Sequence, residues 1–146
     1  MAPARSVPER RPVGITGLCL FFAFGTLACV TATSLLLFPG GPLDAAWHIN
    51  PRGHEGFIRL GPWAIVLLAA VGLACSLAAI GLWRGAPWGQ RLAVVVLSVN
   101  LLGDTANAVL GRDPRSLIGV PVAGLLIAYL IRNAKARTYF GRKTSS

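Results

Sequence analysis

The sequence predicts an all-α integral membrane protein, a four-helix bundle with both termini in the cytoplasm, and three observations support this fold class. The chain has 146 residues, of which 54% are hydrophobic and only 13% are charged, so it is too apolar for an ordinary soluble domain. Its apolar residues fall into four long runs. Its positive charges gather at the ends of those runs, as in membrane proteins of defined orientation.

The four apolar runs give the boundaries of a domain that covers 13–132. The predicted spans are 13–38, 62–83, 88–110 and 115–132. The first run is too long for a signal-peptide core and lacks a clear cleavage site, so we expect a retained helix. A longer outer loop, 39–61, joins the first two spans, and the segment RGAP between the next two permits only a short hairpin. We expect Pro121 to bend the fourth span.

The distribution of positive charge predicts the orientation. Ten of the fourteen Lys and Arg residues lie in the two tails and the hairpin, and the positive-inside rule places these segments in the cytoplasm. Residues 1–12 indicate a short disordered tail, and 133–146 a basic cytoplasmic tail. In this second tail four side chains are candidates for contact with anionic lipid headgroups: Lys135, Arg137, Arg142 and Lys143. In general shape the chain is similar to small bacterial inner-membrane proteins, so we expect an inner-membrane location.

Composition argues against several other classes. The net charge of +9 first suggests nucleic acid, but the basic residues form no stripe interleaved with aromatic side chains. Cys19, Cys29 and Cys75 all lie in apolar runs without a CxxC pair, which indicates small buried side chains and not a redox centre. No histidine lies in the predicted spans, which disfavours a bis-histidine haem carrier. We predict no cofactor and no nucleic-acid partner.

The third predicted span carries a polar face. At roughly 100° per residue, Asn100, Asp104 and Asn107 fall within about 60° of one another. The opposite face is apolar and is expected to face lipid: Val95, Leu102 and Val109. An ionised carboxylate at this depth costs on the order of 3 kcal/mol on insertion scales. Asp104 is therefore expected to face the bundle interior, where it is paired, hydrated or protonated.

Two interpretations of this polar face stay open. In the first, the three side chains connect helices by hydrogen bonds to hydroxyls near the outer end of the first span: Thr31, Thr33 and Ser34. In the second, they form a site that binds a proton, a cation or a small polar ligand. Arg112 and Arg115 of the outer side are further candidate partners of Asp104.

The outer loop holds both histidines of the chain. His48, His54 and Glu55 are side chains of metal-ligand type, although their spacing matches no established metal signature. The competing interpretation is an interfacial segment around Leu43 to Ile49 that is anchored by Trp47.

Small residues four apart recur in the first two spans: Gly25 to Cys29, Gly72 to Ser76, and Gly81 to Gly85. Such spacings let helix backbones approach closely in a membrane. We favour packing within the chain over dimerisation as their role, and a homo-oligomer stays possible.

Three function classes are compatible with these features. The first is a non-enzymatic accessory or interaction subunit that contacts another membrane protein. The second is a small transporter, channel or ligand sensor with a polar site around Asp104 that opens to the outer face. The third is a membrane enzyme or metal site that uses His48, His54 and Glu55, and we rank an enzyme below the other two.

Overall fold

The computed structural model describes residues 12–41, 44–110, 118–133 and 139–140, apart from the side chains of Asn107 and Leu110. Across this part of the chain the protein is all-α, without a β-strand. Five α-helices and one 3-10 helix follow one another: α1 (Val13–Leu37), the 3-10 helix (Asp44–His48), α2 (Pro51–Leu60), α3 (Pro62–Trp83), α4 (Pro87–Leu110) and α5 (Gly119–Arg132).

Two of the described helices, α1 and α3, are long and apolar enough to cross a membrane. At about 1.5 Å per residue they measure roughly 37 and 33 Å, against about 30 Å of hydrocarbon. The boundaries expected from the sequence for the first three spans agree with α1, α3 and α4 to within one residue. Helix α5 is apolar but has only 14 residues in the described part of the chain. Membrane crossing by α4 and α5 stays a prediction.

The predicted outer loop is largely helical, which the sequence analysis missed. The Asn50 side chain accepts a hydrogen bond of 3.0 Å from the backbone N–H of Gly53, and Pro51 occupies the first helical position. Both features start a helix, because they satisfy or remove N–H groups that lack an intrahelical partner. Gly61, with a φ of +56°, ends α2, and Pro62 begins α3 directly afterwards.

In the described part of the chain α5 begins at Gly119, two residues before Pro121, and Ile118 before it has a 3-10 helical conformation. The expectation that Pro121 bends this helix stays a prediction.

Helices α1 and α3 pack through small residues. A Cβ placed on Gly72 would lie 3.1 Å from the Cβ of Cys29, and one placed on Gly25 would lie 3.4 Å from the Cys75 sulfur. The Ser76 hydroxyl is also hydrogen bonded to the Thr26 hydroxyl at 3.2 Å. These contacts confirm that the small-residue spacings of α1 and α3 serve packing within the chain.

Helix α4 follows α3 through a tight hairpin and crosses it closely. A Cβ on Gly81 would lie only 2.5 Å from the Cα of Gly89, so the two backbones touch. Gly85 turns the chain with a φ of +65°, a conformation that favours glycine. The backbone N–H of Ala86 donates to the Gly81 carbonyl at 2.9 Å and closes the hairpin.

The main core lies at one end of the molecule, which we call the hairpin end because residues 84–86 turn there. The start of α1 and the end of α5 meet there, since Tyr129 contacts Gly14. Six large side chains are less than 2% exposed: Phe22, Ile15, Leu18, Leu82, Leu97 and Leu130. Phe140, from the predicted basic tail, belongs to the same cluster. The opposite end, with residues 38–61, is called the loop end.

Candidate functional site

The polar face of α4 continues the face that packs in the core. Counted at roughly 100° per residue, Asn100, Asp104 and position 107 lie on the same side of α4 as Gly89 and Ala93, which are buried. The expected lipid-facing residues are strongly exposed, with values of 57% for Val95 and 71% for both Leu102 and Val109. The apolar face of α4 is therefore exposed as expected, but its polar face is covered only in part, because Asp104 is half-buried and Asn100 is exposed. The Asn107 side chain lies outside the described residues.

Asp104 is half-buried and lies beside α5. Its carboxylate contacts Gly119, where an added Cβ would collide with Oδ2. Gly119 is the first residue of α5 in the described part of the chain, so the carboxylate lies where α5 approaches α4. No side chain caps this end of α5 by a hydrogen bond.

Two of the three hydroxyls that the sequence analysis offered to the polar face, those of Thr33 and Ser34, bond elsewhere. Thr33 donates to the carbonyl of Cys29 at 2.8 Å, and Ser34 donates to that of Val30 at 2.9 Å. These bonds lie within α1, as is usual for hydroxyls on helices in apolar surroundings. The contact that the structure gives Asp104 is with Gly119 of α5. Arg112 and Arg115 lie outside the described residues.

Burial decreases steadily along the facing sides of α3 and α4. The α3 strip is the line of residues at helical spacing that begins at the hairpin end and lies on one side of α3: Gly81, Ala74, Ala70, Leu67 and Trp63. Gly81 is buried and Ala74 half-buried, while the other three are exposed, Trp63 to 73%. This gradient indicates that α4 no longer covers this side of α3 toward the loop end.

The matching strip of α4 has the same gradient. The α4 strip is formed by five residues at helical spacing: Gly89, Ala93, Val96, Asn100 and Gly103. The first two are buried, Val96 is half-buried, and Asn100 and Gly103 are exposed. A Cβ on Gly103 would find no atom within 4 Å. Helices α3 and α4 therefore diverge from the contact of Gly81 with Gly89, and we call the space between their outer strips the α3–α4 cleft.

The aromatic residues of the loop end give its histidines different surroundings. Trp47 stacks on His54 with ring centroids 4.4 Å apart and planes 9° apart, and it also contacts Phe57. His48 and Glu55 are exposed. Within the described ranges, no group of three His, Cys, Asp or Glu side chains is arranged to hold a metal ion. His54 is thus part of an aromatic cluster that joins α2 to the 3-10 helix.

Basic side chains surround the hairpin end. Arg84, Arg91 and Arg132 are exposed there. The four tail residues expected to contact lipid headgroups lie outside the described residues: Lys135, Arg137, Arg142 and Lys143.

Sequence reasoning missed three contacts that fix α5 and the tail. The Gln90 amide donates to the Leu130 carbonyl at 2.7 Å, and the Tyr139 hydroxyl donates to the Trp83 carbonyl at 3.3 Å. Gly119 is the third, because it leaves room for Asp104. The position of Gln90 in the first turn of α4, just before its apolar stretch, could have indicated a hydrogen bond to another helix. No local feature of the sequence distinguishes Gly119 from other glycines.

Among the described side chains of α4, the Asp104 carboxylate is half-buried and the Asn100 carboxamide is exposed. Comparison of the chain with protein-family models, curated proteins and solved structures finds no match.

Proposed function

We propose that the chain is a non-enzymatic, multi-pass inner-membrane protein that acts as an accessory or interaction subunit. In this proposal α1, α3, α4 and α5 cross the bilayer as a four-helix bundle, with the hairpin end in the cytoplasm. The apolar length of α1 and α3 supports the placement, as does the position of the exposed Arg84, Arg91 and Arg132 at one end of the molecule.

The arrangement of α2 supports the same orientation. Its charged residues, Arg52, Glu55 and Arg59, lie within about 60° of one another on the helical projection. The side chains of His54 and Phe57 project from the other side, toward Trp47. A short helix divided in this way fits the outer interface, with its charges in water. Trp63, 73% exposed at the start of α3, then lies in the aromatic belt of the outer leaflet.

One observation carries the interaction role, namely the uncovered α4 strip at Asn100 and Gly103. In a bilayer, small and polar residues on the outside of a helix are the groups through which helices associate. Gly25, Gly72 and Gly81 pack within the chain, whereas Gly103 is open, as are Gly17 and Gly124 on other helices. The α4 strip differs from those open glycines because Asn100 places a carboxamide beside Gly103. The outer part of the α4 strip is therefore available for a contact with another membrane helix.

Topology can be tested with single cysteines in a variant that lacks the native thiols. An impermeant thiol reagent should label Gly40→Cys from the outer side only and Arg84→Cys from the inner side only. Labelling of both positions from the same side would contradict the proposed bundle. Copurification in mild detergent then tests the role: a protein partner should be lost with Asn100→Leu and kept with the control Leu102→Val on the opposite face.

A second candidate function uses Asp104 as a proton or ligand site. The half-burial of its carboxylate at the edge of the α3–α4 cleft favours this candidate, since such a group can exchange a proton or bind a cation. Asp104→Asn should then abolish uptake, binding or a pH response while the melting temperature in detergent stays near wild type. Under the first function the same change affects stability alone.

A further inference from the structure

The position of Asn100 within α4 is the starting point. Asn100 follows Pro87, the first residue of the 24-residue helix, by thirteen residues, which corresponds to about 20 Å of a helix about 36 Å long. If α4 spans the membrane as proposed above, the Asn100 carboxamide lies close to the bilayer midplane. The side chain is exposed, and nothing in the described part of the chain makes a hydrogen bond to it.

Lipid cannot satisfy this carboxamide. Acyl chains offer neither donors nor acceptors, so a polar group in the hydrocarbon region is retained where another helix supplies partners. Within the chain the facing helix α3 offers only Ala70 and Leu67 at this level, and both are exposed. The occupant of the α3–α4 cleft must therefore bring its own polar group to the midplane.

We infer that this occupant is a second copy of the chain, with the two α4 helices crossing at Asn100 and Gly103 about a two-fold axis. A carboxamide carries two donors and one acceptor oxygen. It is self-complementary, because each Asn100 can donate to the other and accept from it under two-fold symmetry. Gly103, with open space around its Cα, lets the two backbones approach one turn away.

The charges near the crossing are compatible with this pairing. Asp104 lies about 40° around α4 from Asn100 and contacts Gly119 of its own chain. Each carboxylate is therefore directed toward its own α5 and away from the symmetry axis. The inference rests on the proposed membrane placement of α4 and adds the identity of the partner.

Cysteine crosslinking in native membranes tests the crossing. In the background without native thiols, Asn100→Cys and Gly103→Cys should form disulfide-linked dimers when a membrane-permeant oxidant is added. Leu102→Cys, which is 71% exposed in the wild type on the opposite face, is the matched control and should stay monomeric. Equal crosslinking at 100 and 102, or none at 100 and 103, would overturn the inference.

The mass of the purified wild-type chain in mild detergent provides the second measurement. We expect a dimer by light scattering, and Asn100→Leu should raise its dissociation constant by about threefold to thirtyfold, the range measured for polar contacts between membrane helices. Asn100→Gln, which keeps the amide, should retain most of the association. A wild-type monomer, or crosslinks from 100 to a different protein only, would exclude the second copy.

The topology labelling shows whether a negative result concerns the second copy alone or also the proposed function. If Gly40→Cys and Arg84→Cys label from opposite sides and no dimer forms, the membrane bundle stands and only the second copy is excluded. If an impermeant aqueous reagent labels Asn100→Cys as readily as Gly40→Cys, the membrane placement of α4 fails, and both proposals fail with it.

Discussion

The carboxylate of Asp104 lies against Gly119, the residue at which α5 begins. This contact joins α4 to α5 in the half of the molecule where Asn100, Leu102 and Gly103 of α4 are exposed. A Cβ at position 119 would collide with Oδ2 of Asp104, so the glycine is what allows the two helices to meet here.

Gly119→Ala should lower the free energy of unfolding by about 1–3 kcal/mol, the usual effect of overpacking. The new Cβ would occupy the position of the Asp104 carboxylate. Circular dichroism during unfolding in mild detergent measures the loss. Gly124→Ala in the same helix is the control, since an added Cβ meets nothing within 4 Å there, and it should be neutral or stabilising.

A double-mutant cycle tests whether the effect of the alanine at 119 depends on the Asp104 side chain. Asp104→Ala provides the space that the alanine at 119 needs, so the double variant should be more stable than the sum of the single changes by about 0.5–3 kcal/mol. Additive effects would mean that the two residues do not interact.

The long helices could be predicted because their signals are local. Apolar runs of 22 to 25 residues and breaks such as RGAP set the boundaries of α1 and α3 without knowledge of their neighbours. The apolar face of α4 at Val95, Leu102 and Val109 follows from helical periodicity alone. The expectation that its polar face turns inward, because polar groups avoid lipid, holds for the half-buried Asp104 and not for Asn100, which is exposed.

The contacts of the site could not be predicted, because they depend on residues distant in sequence. Helical spacing alone allows Asp104 to face hydroxyls of α1, whereas in the fold its carboxylate contacts Gly119 of α5. Helix α2 was missed because two glycines and a proline within ten residues indicate a loop, whereas Asn50 and Pro51 start a helix. Neither the burial of Phe140 nor the divergence of α3 from α4 has a local signal.

Gly89→Ala should destabilise the chain more than any alanine substitution at an open glycine. The new Cβ would meet the backbone of Gly81, with the Cα at 2.5 Å, and a backbone cannot move aside as a side chain can. We expect the free energy of unfolding to fall by up to about 3 kcal/mol, the upper end of overpacking effects. Gly17→Ala, whose Cβ meets nothing within 4 Å, should melt near wild type. Equal melting temperatures for the two variants would contradict the close crossing.

Gln90→Ala should cost about 0.5–1.5 kcal/mol, the net value of one hydrogen bond. Its amide donates to the carbonyl of Leu130 at 2.7 Å, and the last carbonyls of α5 lack intrahelical partners. Gln90→Glu should cost more at neutral pH, because it replaces the donor with a charged acceptor that faces a carbonyl. The exposed neighbour Arg91, changed to alanine, serves as the control. Hydrogen exchange at the end of α5 should increase for both Gln90 variants and not for Arg91→Ala.

Phe140→Ala should lower stability by about 3–5 kcal/mol, as expected for a large side chain removed from a core. Phe140 is only 2% exposed and clusters with Leu82 and Leu130, so its side chain helps to close the hairpin end. Tyr139→Phe, which removes the hydrogen bond to the Trp83 carbonyl but keeps the ring against Gly85, should cost only about 1 kcal/mol. The control is Ile131→Ala, at a position 52% exposed. Unfolding in mild detergent ranks the three variants, and limited proteolysis should cut the tail fastest in Phe140→Ala. If Phe140→Ala were as stable and as resistant as Ile131→Ala, the tail would not be part of the core, and the hairpin end would be closed by the helices alone.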